Sequence, residues 1–242
     1  MPRKLAIVAA LEREVAPLFK NRGWTTTVVR LGERELRIRE HEDVLVICGG
    51  IGAAAARAAA ELLHKHAKGE IAGYISAGYA GALTPDLKVG DVVQPGQVVT
   101  PEGGQHLAQG SGGTLVSGSG VAGAAAKREL AVRHSAKAVD MEAHAVADFA
   151  TVHHVPCVVI KVISDEHDSG LPPVEQFIDA NGRFKSSSFA VHMAGRPWHW
   201  RKVIRLGRDT SAASRALCDA LREAIAAHSR GELYNRKTGP AR

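Results

Sequence analysis

Three apolar segments of this chain lead into acids. AIVAALEREV places Glu12 and Glu14 just beyond a run of small and branched residues. VIKVISDEHD closes a second run on Asp165, with Glu166 and Asp168 behind it. KAVDMEAHAVADFA, residues 137–150, reads as an alanine-rich helix with Asp140 and Glu142 at its head. Capping is the simplest account of that last pair, because a helix N-terminus stabilises negative charge. Any one of these acids, alone, is a solvated surface group. Brought to one cleft, Glu14, Glu142 and Asp165 suit chemistry on a sugar. One carboxylate can hold the hydroxyls, one can orient water, and one can act as general acid.

Such convergence requires elements that end together. LAIVAA (5–10), VLVICGG (44–50), GYISAGYAG (73–81) and PCVVIKVISD (156–165) read as buried strands, and DVVQPGQVVT (91–100) supplies one or two more. AAAARAAAELLHKH (53–66) and ASRALCDALREAIAAH (213–228) carry the 3.6-residue period of helices. A loop rich in Gly and Ser (103–120) precedes the helix after Val139. This alternation predicts an α/β fold: one three-layer α/β/α domain over residues 1–242, with a central mixed sheet and a basic helical region from 196. Ligands of such sheets bind beyond the carboxyl ends of the strands. Glu14 and Asp165 are expected there, and Glu142 reaches the same crevice from its helix.

Composition narrows the classes. With 45% hydrophobic and 23% charged residues, the chain reads as a soluble globular protein with a sizeable core. No apolar run is long enough to span a bilayer, and the opening MPRKLAIVAALEREV does not read as a signal peptide. Cys48, Cys157 and Cys218 are scattered among apolar neighbours, which fits buried thiols in a reducing cytoplasm and gives no metal spacing. The net charge of +6 gathers between Arg196 and Arg208 and after Arg230, without a nucleic-acid motif, so no nucleic-acid partner is expected. Gly50-Ile51-Gly52-Ala53-Ala54-Ala55 matches the dinucleotide fingerprint, with Glu70 at a distance suited to a ribose contact. Dinucleotide binding is therefore a competing reading; close passage of backbone past a neighbouring strand is the structural one.

Four segments in order, AALEREV, CGGIGAAAA, SAGYAGALTPDLKVGDVV, and AVDMEAHAVA followed by VISD, resemble the nucleoside phosphorylase and nucleosidase superfamily, above all the methylthioadenosine/adenosylhomocysteine nucleosidases. They span residues 9–165. The resemblance implies cleavage of a purine N-glycosidic bond, with no cofactor and with phosphate as co-substrate only if the enzyme is a phosphorylase. It implies that Glu142 receives the ribose 2′- and 3′-hydroxyls, with Met141 packed on the sugar. Glu14 would deprotonate the attacking water. Asp165, placed by Ser164, would protonate N7 of the leaving purine, and burial with nearby carboxylates is expected to keep it neutral. The turn Gly78-Tyr79-Ala80-Gly81 would bring backbone close to the ligand, with Ala77 beside it among the substrate-binding residues. Water is the expected nucleophile, because Glu14 repels phosphate and the turn carries no arginine; Arg30 or another arginine would have to arrive from elsewhere.

Where the nucleosidases resemble Ser-Gly-Asp-Ala-Phe, this chain has Ser117-Gly118-Ser119-Gly120-Val121. Val121 offers the base an apolar wall without aromatic stacking, a difference of about 1 kcal/mol. The last third, VISDEHDSGLPPVEQFIDANGRF followed by GRPWHWRKVIRLGRD, resembles the hopanoid-associated phosphorylases, which implies adenosylhopane as substrate. A polycyclic tail would call for membrane contact at the inner face. In 195–208, Arg201, Arg205 and Arg208 share one helical face, with Trp200, Val203 and Ile204 on another. A homodimer or larger homo-oligomer is expected of this superfamily.

Overall fold

Alternation along the central strands explains how the layers form. In β1 (Lys4–Ala9), Ala6 and Val8 enter one core while Leu5, Ile7 and Ala9 enter another, as period two requires. The computed structural model describes residues 3–20, 23–169, 175–177, 179, 182 and 200–234, and for 175 and 200–208 the backbone alone. Eleven strands form one mixed sheet. Beside β1 lie β4 (Val44–Cys48) and the hairpin β2 (Thr25–Leu31) and β3 (Arg34–His41).

The twelve-residue β5 (Ile71–Ala82) is the hub. Its first half pairs in parallel with β1, and β11 (Cys157–Asp165) runs parallel along its other edge. Its last two residues pair with β10 (Ala136–Asp140). Beyond β10 come β9 (Thr114–Ser117), β7 (Gln97–Val99) and β8 (Gln105–Leu107), while β6 (Val92–Val93) flanks β11.

One face is covered by α2 (Ala53–His66) and α4 (Ala143–Val152), whose contact is mostly alanine: Ala56, Ala59 and Ala60 from one, Ala143, Ala147 and Ala150 from the other. The opposite face carries α1 (Glu12–Val15), the 3-10 turn Ala16–Lys20 and α5 (Trp200–Ser229), with Ala213, Leu217 and Leu221 against Ile7, Ile75 and Ile160. This is the three-layer architecture expected.

Several elements differ from the sequence reading, among them the Gly- and Ser-rich 103–120, expected as a loop, which holds β8 and β9. Residues 137–150 are not one helix: Ala136–Asp140 is strand, and helix begins only at Ala143. Alternation of buried Ala136 and Ala138 with exposed Lys137 is too weak a β signal by itself, so pairing with β9 and β5 decides the conformation. The hairpin β2–β3 and the helix α3 (Ala124–His134) were not expected, because charge interrupts their apolar patterns. The final helix starts at Trp200, well before residue 213. The face proposed for membrane contact, residues 195–208, lies outside the described side chains, as does most of 170–199. Among the described residues, no helix is long and apolar enough to cross a membrane, and the three cysteines are free thiols.

Candidate active site

The stretch Gly78–Gly81, expected as a turn, is strand within β5, and each of its glycines faces a carboxylate and a lysine. A Cβ on Gly78 would sit 3.3 Å from Glu14 Oε2 and 3.7 Å from Lys161 Nζ. Gly78 has φ +149°, so its lack of a side chain is used both conformationally and sterically. A Cβ on Gly81 would meet Asp165 Oδ2 at 3.1 Å and Lys127 Nζ at 3.2 Å. β5 thus separates two charged poles by three residues, roughly 10 Å of strand.

The first pole is acidic. Glu14 is 4% exposed and held by the first turn of α1, where its Oε2 accepts N–H bonds from Ala10 (3.2 Å) and Leu11 (3.1 Å). Burial raises its pKa, against the opposing pull of the Leu11 amide and Lys161. Lys161, opposite Gly78 in the β5–β11 register, is fully buried and lies 2.8 Å from Asp140 Oδ2. That contact is a buried ion pair at hydrogen-bonding distance, and an ammonium has two further N–H groups to offer. Burial opposes the Lys161 charge, but Asp140, Glu142 and Glu14 outweigh it and raise its pKa.

Asp140 and Glu142 divide the two roles weighed for them. Asp140 does the capping: Oδ2 accepts the Ala143 amide at 2.8 Å, and Oδ1 takes the Ser117 hydroxyl. Glu142 swings to the N-terminus of α2, where Oε1 accepts the Gly52 amide at 2.7 Å. Its pKa is pushed up to about 7 by burial, with Lys161 pulling it down and Asp140 and Glu14 pushing it up. The fingerprint glycines therefore serve an internal carboxylate. Gly52 N–H goes to Glu142 and the Ile51 N–H to the Gly182 carbonyl, so the place of a pyrophosphate is filled from within, and Glu70 lies exposed in the turn before β5.

The second pole is paired. Asp165 ends β11 beyond a bulge between Ile163 and Asp165, and the extra residue re-aims its side chain. Ser164 Oγ donates to Asp165 Oδ1 at 2.8 Å, as the resemblance implied. Against Oδ2 lies the ammonium of Lys127, from α3, which also donates to the Glu166 carbonyl at 2.7 Å. The neighbours expected to keep Asp165 neutral were carboxylates; the one in contact is a cation.

Of the remaining expected residues, Ala77 is buried in β5 beside Gly78. The Tyr79 side chain packs toward α5, its hydroxyl donating to the Thr210 carbonyl at 2.9 Å. Met141 and Val121 are half-buried, Met141 next to Glu142 and Val121 in the loop before α3. Arg30 pairs with Glu35 on the exposed hairpin. Sequence reasoning missed both lysines. Lys161 had a signal, since a lysine inside PCVVIKVISD is buried only when paired. Lys127, inside AAAKREL, had none. Among the described residues, no group of three or more His, Cys, Asp or Glu is arranged to hold a metal ion.

A family model described as Phosphorylase superfamily matches residues 4–113 and 108–192. Solved structures share the fold at low identity. The 5′-methylthioadenosine/S-adenosylhomocysteine nucleosidase of Neisseria meningitidis, in complex with methylthio-immucillin-A, superposes with TM-score 0.65 at 19% identity, covering 92% of this chain and 98% of that one. Futalosine hydrolase of Helicobacter pylori gives 0.65 at 18%, covering 92% and 99%. The Helicobacter pylori 5′-methylthioadenosine/S-adenosylhomocysteine nucleosidase gives 0.64 at 18%, with the same coverage.

Proposed function

The chain belongs to the phosphorylase superfamily, and from that premise we propose that this enzyme hydrolyses the N-glycosidic bond of a purine nucleoside. One observation carries the reading: β5 holds an acidic pole at Gly78 and a Lys–Asp pole at Gly81, a stretch that is strand and not the expected turn. Cleavage leaves positive charge on the ribose and negative charge on the base. The acidic pole suits the first. Glu142 accepts the ribose hydroxyls in a charge-assisted contact, Glu14 takes a proton from the attacking water, and both stabilise the oxocarbenium-like sugar. Asp165, beside Ser164, suits the second by protonating N7.

Water is favoured over phosphate on charge. Lys161 is one cation among Glu14, Asp140 and Glu142, so the ionised pole carries a net charge of −2 and repels an anionic nucleophile. The folds it shares with nucleosidases named for methylthioadenosine, adenosylhomocysteine and futalosine support a nucleoside with a substituted 5′ position. Among such substrates, adenosylhopane is the candidate from the C-terminal resemblance, and contact of 195–208 with an anionic membrane face goes with it. A homo-oligomer is the expected assembly.

The test is product identification. The enzyme is incubated with adenosine, inosine, methylthioadenosine and an adenosyl-hopanoid, with and without phosphate, and the sugar is weighed by mass spectrometry. Free ribose sugar in phosphate-free buffer is expected. Sugar 1-phosphate formed only with phosphate would make the enzyme a phosphorylase. No cleavage of any of them would overturn the reading.

A further inference from the structure

Helix α3 contributes one fully buried side chain to the molecule, and it is a lysine. Lys127 is 2% exposed, and it is aimed at Asp165, itself 8% exposed. Burying an ammonium is costly even when paired, and an apolar residue of similar volume is often at least as stabilising. Anchoring α3 to β11 would therefore be served as well by a leucine or methionine. The placement of Lys127 directs attention to what Asp165 lacks. Its Oδ1 accepts from Ser164 and its Oδ2 from Lys127, so it stands as an acceptor on both oxygens. N7 of a purine is also an acceptor. Two acceptors facing each other need a proton between them, and the one at hand is on Lys127.

We propose that Lys127 supplies the proton that leaves with the base, through Asp165. This rests on the hydrolase reading above and deepens it. The resting pair holds one ammonium and one carboxylate, neutral together. As the C1′–N9 bond breaks, its electron pair goes to the purine. Asp165 takes a proton from Lys127 and hands it to N7. The pair is left as amine and carboxylate with net charge −1, facing a ribosyl cation of charge +1. Water then adds to C1′ and its proton goes to Glu14. The products are neutral base and free sugar. The enzyme has gained a proton at Glu14 and lost one at Lys127, and exchange with solvent resets both.

The chain path couples this to binding. Lys127 N–H closes the first turn of α3 on the Gly123 carbonyl, directly after the 117–123 loop that carries Val121. A base seated against that loop sits on the segment that presents the ammonium. Lys127 is thus a positioning residue that works through Asp165.

The test compares leaving groups. Wild type, Lys127→Arg and Lys127→Met are assayed on the best purine nucleoside and on 4-nitrophenyl riboside, whose phenolate departs without protonation. Arginine preserves the charge pair with Asp165 but does not give up a proton, so it separates proton supply from structure. In both variants the ratio of purine to nitrophenyl turnover should fall by about 10²- to 10⁴-fold, the usual loss of a general acid. Circular dichroism and melting confirm that Lys127→Arg is folded, should Lys127→Met fail. A Lys127→Arg enzyme with the wild-type ratio, whether both rates are kept or both fall together, would overturn the proposal and make the pair structural. A wild type that releases nitrophenol but leaves every purine nucleoside intact would overturn the proposal while sparing glycosidic cleavage. A wild type that cleaves neither sinks both readings.

Discussion

The two poles of β5 are built from the same residue types and behave oppositely. At Gly78 one lysine serves three carboxylates; burial raises the pKa of Glu14, and burial with repulsion from Asp140 and Glu14 raises that of Glu142. At Gly81 one lysine serves one carboxylate, and each has its hydrogen-bonding partners. The first arrangement stores unbalanced negative charge where a cation will form. The second stores a proton where an anion will leave. Stoichiometry, more than residue type, assigns the roles.

The largest effects come from emptying either pole. Glu14→Gln should lower turnover of purine and nitrophenyl ribosides alike, by about 10²- to 10⁴-fold. Asp165→Asn should match that loss on purines and largely spare the nitrophenyl substrate. Steady-state rates on the two substrates check this, and equal selectivity in both variants would dissolve the distinction. Next in size is Lys161→Met, which leaves three acids without their cation. Breaking a buried ion network costs about 3–5 kcal/mol, read as a lowered denaturant midpoint; an unchanged midpoint would mean the acids are not crowded.

A smaller effect appears on the pH axis. In the proposed reaction Glu142 accepts two hydroxyls as a carboxylate, and its pKa is pushed up to about 7. The acid limb of kcat/KM should therefore lie near neutrality, well above an ordinary carboxylate. The raised folded-state value has a second consequence. The stability associated with it is present below the ordinary carboxylate pKa and is lost as pH rises through about 7. Glu142→Gln should be inactive yet melt higher than wild type at pH 8, by about 2–4 °C, the equivalent of 1 kcal/mol in a chain of this size. A lower melting point would mean that the contact with Gly52 outweighs the repulsion. The glycines test the same comparison by steric means. Gly78→Ala and Gly81→Ala each overpack their pole by about 1–3 kcal/mol, but only Gly81→Ala should alter the purine-to-nitrophenyl ratio.

Much of this site was legible because its acids follow apolar runs. Glu14 and Asp165 could be placed at strand ends from AIVAALEREV and VIKVISDEHD. Glu142 could be placed in the crevice, but its support could not, since a strand made of Ala-Lys-Ala-Val-Asp looks like helix until β9 and β5 pair with it. The cations escaped for opposite reasons. Lys161 was visible as a charge inside a buried strand and went unused. Lys127 lies in a charged stretch without a buried pattern, and only the packing of α3 onto β11 shows that its side chain turns inward.

The pairing of β5 also fixes when the site can exist. Its neighbours β1 and β11 are about 150 residues apart in sequence, and all three run parallel, so each pairing waits on closure of a long loop. Lys161 meets Gly78 only when β11 docks, and Asp165 meets Lys127 only after α3 has settled on it. The acids and lysines of the two poles are thus expected among the last groups to assemble. In refolding from denaturant, helical circular dichroism should return first and nucleoside cleavage last.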